Sequence, residues 1–313
     1  MRVMVTGAAG LIGSHLCEAL VDRGDEVVAV DNFLTGQRAN LARLEDSGRF
    51  TLFESDAEHV GELELPGTLD AICHLASPAS PTDFVTKPLE ILRAGSTAVF
   101  ATVGLAQAHG ARYLLSSTSE VYGEPLVHPQ PEEYWGNVSS TGPRACYDES
   151  KRFAEAVVTT YARSFGLDGR IVRIFNTYGP RMRIDDGRVV SNFVVQALQG
   201  QPITIHGDGS QTRSFCYVTD QVRGQLALLD SEEPGPINIG NPHEFTVLEL
   251  AKTVLELTGS SSPIEYRPLP ADDPTQRRPD ITKANSRLGW SPEVSLREGL
   301  PMVIDYFKDV LPG

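Results

Sequence analysis

Hydrophobic positions in the first 175 residues alternate between short apolar runs and longer stretches with helical spacing. The runs typical of buried strands cover residues 2–6, 26–30, 50–53, 71–75, 113–116 and 170–174. The main stretches with helical periodicity cover 14–23, 88–109 and 147–165. Strands that alternate with helices in this way predict the α/β class, with a doubly wound parallel sheet.

Shorter elements are predicted beyond residue 176. Helical or strand-like patterns cover 189–198, 214–217 and 219–229. Thr246 with Glu249, and Ser295 with Glu298, have the spacing of a capping box, in which the two residues bond each other's backbone at a helix start. We therefore expect one helix after Thr246 and a last helix after Ser295.

A glycine-rich turn follows the first predicted strand. Its spacing is Gly-x2-Gly-x2-Gly, a variant of the dinucleotide-binding fingerprint. Glycines let the backbone turn tightly and approach a pyrophosphate, which lies on the amides at the helix start. The predicted cofactor contacts here are Gly7, Gly10, Leu11, Ile12 and Gly13. A tight strand-to-helix turn without a ligand is the alternative.

Acidic residues follow the next strands. Asp31 ends the second strand, eighteen residues beyond Gly13. An acid at this place accepts hydrogen bonds from the adenosine ribose and repels a 2′-phosphate, which favours NAD over NADP. Asn32, Asp56 and Leu75 stand at or just after strand ends, and we expect them to contact the same cofactor.

Tyr147 and Lys151 are four residues apart on a predicted helix, so both side chains can point into one site. An ammonium beside a phenol favours the phenolate, and we expect it to lower the pKa of Tyr147 towards the working pH. Such a phenol can remove a proton from a substrate alcohol. A solvated helix face is the alternative reading of this pair alone.

Hydroxyls and a carboxylate also end the strand 113–116, in the sequence Ser117-Thr118-Ser119-Glu120. The carboxyl edge of a parallel sheet is where ligands gather, so we expect these side chains beside the nicotinamide. A plain polar loop is the alternative. Residues 124–146 have no periodicity and predict a long loop that leads into the Tyr147 helix.

The net charge of −14 and the pI near 4.9 argue against a nucleic-acid-binding protein, which needs a basic surface. An anionic ligand must then be bound by local arginines, since guanidinium groups bind phosphate and carboxylate in bidentate fashion. The candidates are Arg181, Arg188, Arg213 and Arg277. Solvated surface arginines are the alternative.

The four cysteines and seven histidines are scattered, without the spacing of a disulfide framework or a metal site. We predict no metal and reduced thiols. Strand-like sequence from Arg2 onward leaves no room for a secretory signal, and no uninterrupted apolar run approaches the ~20 residues of a membrane helix. The expectation is a cytoplasmic protein without a membrane partner.

In this order and spacing, the motifs resemble the extended short-chain dehydrogenase/reductase family acting on nucleotide sugars. Within it, the chain looks most like the UDP-glucuronate decarboxylases, or UDP-xylose synthases. The phrases that carry this resemblance are at 30–33, 74–81, 117–123, 142–149, 179–182, 186–193 and 272–274. The resemblance implies a Rossmann-type NAD-binding domain over 1–175, with a return segment near 214–240, and a smaller C-terminal α/β substrate domain over 176–313.

The resemblance also implies a reaction and residue roles. Tyr147, assisted by Lys151, would remove the 4-hydroxyl proton of UDP-glucuronate while NAD takes the hydride. The 4-ketone then permits loss of carbon dioxide, and hydride return gives UDP-xylose. Thr118 would lie near the sugar and the tyrosine, with Ser119 and Glu120 on the C5 side. Arg277 would lie near the substrate carboxylate, and Asn176 and Arg188 would contact the UDP-sugar.

Alternatives remain within and outside the family. Sugar 4,6-dehydratases carry Asp-Glu where this chain has Ser119-Glu120, and 4-epimerases generally lack the glutamate. A UDP-glucuronate 4-epimerase is the enzyme alternative, and an NAD-binding sensor without turnover is the remote one. The resemblance further implies a homodimer paired through the Pro88 and Tyr147 helices. Gly95 and Ala98 replace residues usual in the family, which affects helix packing or cofactor positioning.

Overall fold

The structure, a computed structural model, describes residues 1–268 and 276–311. The 272–274 motif lies outside the described residues. The strands, in chain order, are β1 (Arg2–Thr6), β2 (Glu26–Asp31), β3 (Phe50–Glu54), β4 (Ala71–His74), β5 (Arg112–Thr118), β6 (Gly169–Ile174), β7 (Thr177–Tyr178), β8 (Ile203–His206), β9 (Thr212–Ser214), β10 (Cys216–Tyr217), β11 (Ile237–Ile239), β12 (Glu244–Thr246), β13 (Ile264–Arg267) and β14 (Gln276–Arg277).

The helices are α1 (Leu11–Arg23), α2 (Pro81–Thr86), α3 (Pro88–Ala94), α4 (Thr97–His109), α5 (Ala145–Phe165), α6 (Val189–Leu198), α7 (Val218–Asp230), α8 (Val247–Thr258), α9 (Thr282–Leu288) and α10 (Leu296–Val310). Short 3₁₀ helices cover Arg38–Leu44, Ala57–Glu62 and Ser119–Tyr122.

The main sheet has seven strands in the order β11-β6-β5-β4-β1-β2-β3, and all its pairings are parallel. Successive side chains of a strand point to opposite faces, and both faces are covered. In β1, Val3 and Val5 pack with α1 and α7, whereas Met4 packs with α4 and α5. The predicted doubly wound sheet is confirmed.

A separate hydrophobic core lies among α6, α8 and α10 and the small parallel pair β8–β13. Its central side chains include Phe193, Leu250 and Val303. Within 214–240, β11 pairs with β6 of the main sheet and α7 packs against that sheet. Ala284 of α9 and Trp290 pack into the same core. The cleft between this second core and the main sheet is where the candidate site lies.

The single helix predicted over 88–109 is wrong, because α3 and α4 are separated by Gly95 and Ser96. Gly95 packs directly on α5, where a Cβ would lie 2.5 Å from the Cβ of Ser150. The close approach of α3 to α5 therefore requires glycine here. Both predicted capping boxes are confirmed, at Thr246 and at Ser295.

Among the described residues, the stretch Pro88–His109 meets the length and composition that a membrane-spanning helix needs. Its inward side chains Ile91, Val99 and Val103 are fully buried. Its outward side chains Leu89 and Phe100 remain exposed. This stretch therefore packs as a core helix pair with an apolar outer face.

Candidate active site

A cleft of about 800 Å³ opens where the carboxyl ends of the parallel strands meet the second core. Ligands bind at this edge in open parallel sheets. The predicted site residues all line the cleft: Gly7, Gly10, Leu11, Ile12, Gly13, Asp31, Asn32, Asp56, Leu75, Thr118, Ser119, Glu120, Tyr147, Lys151, Asn176, Arg181, Arg188, Arg213 and Arg277. The fold therefore brings together residues far apart in the chain, although their individual roles stay predictions.

The glycine turn forms one end of the cleft. Gly7 has φ +71°, and a Cβ there would lie 2.8 Å from the backbone nitrogen of Ala76. Gly13 packs so closely on the carbonyl of Gly7 that no side chain fits. Gly10 caps α1 without a side-chain bond, so the first amides of the helix face the cleft. Such a helix start is suited to a pyrophosphate.

Two acids lie beyond the glycine turn. Asp31 is buried and accepts hydrogen bonds from the backbone nitrogens of Ala9 and Phe33, both at 2.8 Å. Burial raises the pKa of Asp31, and the two amides oppose this effect. Asn32 donates to Asp56 at 2.8 Å, which holds the second acid beside the first. This acidic end suits ribose hydroxyls and disfavours a phosphate.

Tyr147 and Lys151 lie on the first turns of α5, 7% and 5% exposed. The Lys151 ammonium donates to the carbonyl of Ser116 at 3.0 Å and lies 5.9 Å from the centre of the Tyr147 ring. Thr118 hydrogen-bonds the Tyr147 phenol. The four-residue spacing on α5 has placed the phenol and the ammonium in one buried site, and the end of β5 adds the Thr118 hydroxyl.

The expected lowering of the Tyr147 pKa is wrong for the protein alone. Burial raises the pKa of Tyr147 to about 12, against the opposing hydrogen bond from Thr118. Burial also lowers the pKa of Lys151 to about 8. Desolvation disfavours the charged form of both groups, and it is the largest cause of both pKa shifts.

Glu120 is enclosed by two arginines. Its Oε2 pairs with Arg144 at 2.5 Å and with Arg277 at 3.3 Å. Burial disfavours the carboxylate, yet the charges of Arg277 and Arg144 outweigh it and hold the pKa of Glu120 below its ordinary value. Arg277, 1% exposed, also donates to the carbonyl of Ser119. This cluster is a fixed wall of the cleft.

Arg144 was missed as a site residue by the sequence reasoning. It lines the cleft and stacks over the ring of Phe84 at 5.2 Å. The available signal was its position three residues before Tyr147, because such neighbours share a helix face.

Cleft arginines predicted to bind anions are already paired with carboxylates. Arg181 pairs with Glu18 at 2.7 Å, and Arg188 with Asp186 at 2.8 Å. Arg213 lies in β9 beside Arg277 in β14. These ion pairs orient the guanidinium groups, so an anionic ligand is met by positioned rather than mobile arginines.

The comparisons with known proteins agree with this geometry. The model of the NAD dependent epimerase/dehydratase family matches residues 3–240. The chain belongs to this family. Among the described residues of this family member, no cluster of three or more histidine, cysteine or acidic side chains could hold a metal ion.

The similar proteins include decarboxylases and an epimerase. The chain is 52% identical to UDP-glucuronic acid decarboxylase 1 of Arabidopsis thaliana, over 99% of this chain and 70% of that protein. It is 49% identical to the decarboxylase 1 of Danio rerio, over 98% of this chain and 72% of that protein. A solved UDP-glucuronic acid 4-epimerase from Bacillus cereus, in complex with UDP-glucuronic acid and NAD, superposes with a TM-score of 0.88 at 30% identity, covering 99% of this chain and 100% of that one.

Proposed function

We propose that this chain is a carboxy-lyase that converts UDP-glucuronate to UDP-xylose through a 4-keto intermediate. The observation that carries the proposal is about 50% identity to UDP-glucuronic acid decarboxylases along nearly the whole chain. The similar 4-epimerase is 30% identical, so the decarboxylase reading is favoured over the epimerase alternative.

NAD is the cofactor, and the cleft fits it. Gly7 and Gly13 leave no room for side chains where the pyrophosphate would approach α1, and Asp31 ends β2 beyond them. We assign the dinucleotide to this end, with Asn32 and Asp56 at the adenosine side. The chemistry that NAD supplies when bound is acceptance and later return of a hydride at the sugar C4.

Tyr147 removes the proton of the 4-hydroxyl in this proposal. Thr118, hydrogen-bonded to the phenol, aligns the sugar hydroxyl with it. The Lys151 ammonium, held by the Ser116 carbonyl, stabilises the phenolate as it forms. The same phenol returns its proton when the ketone is reduced.

In this proposal, Arg277 and the Glu120–Arg144 ion pair face C5 of the sugar. A ketone at C4 is β to the carboxylate, so the electrons of the broken C5–C6 bond delocalise into the carbonyl. We assign Arg277 to hold the leaving carboxylate, and Ser119 and Glu120 to shape the C5 side. The ion pair of Glu120 with Arg144 fixes this wall before substrate binds.

The UDP moiety is assigned to the arginine-lined end of the cleft. Asn176, Arg181, Arg188 and Arg213 line this end. Because Arg181 and Arg188 are held by Glu18 and Asp186, their donors are preorganised for the diphosphate.

We further propose a homodimer. Leu89 on α3, Phe100 on α4 and Phe153 on α5 are 66%, 46% and 45% exposed. Phe100 and Phe153 touch edge to face, with ring centres 6.0 Å apart, and Leu89 is exposed on α3, which packs against both α4 and α5. We treat these three side chains as one apolar patch. A patch of this kind favours association with a second copy.

A cytoplasmic location without membrane or nucleic-acid partners is the accompanying proposal. The four cysteines are free thiols and three of them are buried, which suits a reducing compartment. The net charge of −14 disfavours binding to a phosphate backbone.

The experiment is incubation with UDP-glucuronate and NAD⁺, followed by proton NMR of the sugar. Loss of C6 with a UDP-pentose of xylose configuration at C4 is the expected result. Formation of UDP-galacturonate would make the enzyme the 4-epimerase. Unchanged substrate with folded, cofactor-loaded protein would contradict both, and would leave the sensor alternative.

A further inference from the structure

The proposed decarboxylation consumes one proton per turnover, and the route inferred for that proton rests on the proposed function. The C5–C6 bond breaks, carbon dioxide leaves, and its bonding electrons form an enolate with the C4 carbonyl. A C5–H bond then forms, so a proton must come from solvent. Tyr147 cannot supply it on balance, because the proton it removes from the 4-hydroxyl returns there.

A second cavity of about 310 Å³ lies behind Glu120. Glu120 and Arg144 line both this cavity and the main cleft, whereas Asp148 lines the second cavity alone. Exposed residues of the 124–142 loop, Glu124 and Ser139 among them, form its outer side. The space is large enough for several water molecules. It therefore lies between solvent and the Glu120–Arg144 wall.

Asp148 is the buried acid of this cavity. It is 7% exposed, and its Oδ1 has no hydrogen-bond partner among the described residues. Buried polar atoms rarely stay without a partner, and because Asp148 lines the second cavity, water in that cavity is the partner available to this oxygen. The next residue along α5, Glu149, is by contrast half-exposed and reaches Arg152.

The charges around Asp148 come from three elements. Glu120 of the 3₁₀ helix and Glu149 of its own helix are negative, while Arg144 before α5 and Arg277 of β14 are positive. Burial, followed by the charge of Glu120, raises the pKa of Asp148 to about 7. Asp148 can therefore hold a proton near neutral pH, while its neighbour Glu120 stays ionised.

We propose that Asp148 and the second cavity form the route by which a solvent proton reaches Glu120 and, through it, C5 of the substrate. Asp148 passes its proton to the Glu120 side through water in the cavity and is reprotonated from the outer side. Glu120, which lines both spaces and is ionised at rest, takes up this proton only as it passes it to C5 of the enolate, and so returns to the carboxylate. Asp148 is then a positioning residue that acts through Glu120.

The test is Asp148→Asn in the NAD-loaded full chain. Asparagine keeps the size of the side chain and removes its titration. Positioned proton transfer contributes roughly 10²–10⁴-fold. We expect kcat to fall by about 10- to 100-fold, at or below the lower end of that range, with KM unchanged, because solvent still reaches Glu120 without Asp148. In the wild-type enzyme, kcat should fall above about pH 7, where Asp148 loses its proton. This limb of the kcat–pH profile should disappear in Asp148→Asn, and Asp148→Glu should restore it. The first hydride transfer, followed as transient NADH absorbance, should keep the wild-type rate.

Glu149→Gln is the matched control, one residue along the same helix. It should keep the wild-type kcat and the pH limb, with the limb shifted slightly to lower pH, because the Glu149 charge contributes to the raised pKa of Asp148. A wild-type kcat and pH profile in Asp148→Asn would overturn the proposal. Equal slowing of NADH formation and turnover would do the same, because it would show a merely structural effect. Absence of UDP-pentose from the wild-type enzyme would instead contradict the decarboxylase assignment itself, so the two failures are distinguishable.

Discussion

Tyr147 is the residue on which the proposed chemistry in this cleft depends. Its phenol is buried, hydrogen-bonded to Thr118, and raised in pKa to about 12 by burial. Tyr147→Phe removes the proton acceptor but keeps the ring stacked on Phe84, 4.8 Å between centres. We expect turnover to fall by about 10²–10⁴-fold with the fold and bound cofactor retained.

The measurement is turnover by NMR, together with the melting temperature and the cofactor content of the purified protein. Tyr161→Phe is the control, since Tyr161 is on the same helix and packs away from the cleft against Phe100 and Phe165. Retained turnover in Tyr147→Phe would remove the tyrosine from its role as base.

We predict that Asp31 selects NAD over NADP. Its carboxylate is oriented by the amides of Ala9 and Phe33. Asp31→Asn removes the charge that repels a 2′-phosphate and weakens the bonds to the ribose. Hydrogen bonds to charged groups are worth about 1.5–3 kcal/mol, so we expect the preference for NAD over NADP to fall at least about tenfold.

Binding titrations of both dinucleotides to cofactor-stripped protein would measure this preference. Asp46→Asn, an exposed acid outside the cleft, is the control. An unchanged ratio of the two affinities would mean that another group selects the cofactor.

Sequence reasoning at the residue scale succeeded where spacing is local. Tyr147 and Lys151 are four apart on one helix, so their meeting followed from helix geometry. It failed where partners are distant, because Arg181 and Glu18 are 163 residues apart. The expected direction of the Tyr147 pKa shift was also wrong, because a pattern of residues does not show how completely a phenol is desolvated.

The approach of α3 to α5 is the feature to test at the scale of elements. Gly95 lies against Ser150, next to Lys151, where a Cβ would be 2.5 Å from the Ser150 Cβ and 2.8 Å from its carbonyl oxygen. Gly95→Ala should therefore destabilise the protein by about 1–3 kcal/mol. In a Ser150→Gly background the same change should cost less free energy of unfolding, because the nearest contact is removed while the carbonyl remains.

Denaturant unfolding of the two single variants and the double variant would measure the coupling. Gly61→Ala is the control, because nothing lies within 4 Å of a Cβ at that position. If Gly95→Ala costs the same free energy of unfolding in the wild-type protein and in the Ser150→Gly variant, the two residues do not interact.

Elements with their own end signals were predictable. The capping boxes at Thr246 and Ser295 set the starts of α8 and α10, and apolar runs located most strands of the main sheet. The short strands β7 and β8 were not predicted. Their pairing partners β10 and β13 are distant in the chain, so tertiary contacts rather than local pattern make them strands.

At the scale of the whole molecule, the doubly wound sheet followed from the alternation of strands and helices. The cleft then followed from the rule that ligands bind at the carboxyl edge of such a sheet. The second cavity was not predictable from the sequence. It is closed by a loop without periodicity, and its wall is an ion pair between Glu120 and Arg144, which no local pattern indicates.

The apolar patch of Leu89, Phe100 and Phe153 leads to a prediction about assembly. We expect light scattering after gel filtration to give twice the chain mass of 34.0 kDa. Phe100→Asp places a charge in the centre of the patch, where it would be desolvated in a dimer, and should yield a monomer. Trp135→Ser is the control, because Trp135 is 89% exposed on the 124–142 loop, outside this patch.

The monomer should also lose activity, for a reason that lies in α5. The outer face of this helix carries Phe153, and its inner face carries Tyr147 and Lys151. In the proposed dimer, pairing through the outer face would restrain the turn that carries Tyr147. We expect Phe100→Asp to reduce kcat several-fold with little change in the melting curve of the main sheet. A wild-type protein of single-chain mass with full turnover would contradict both the dimer and this coupling.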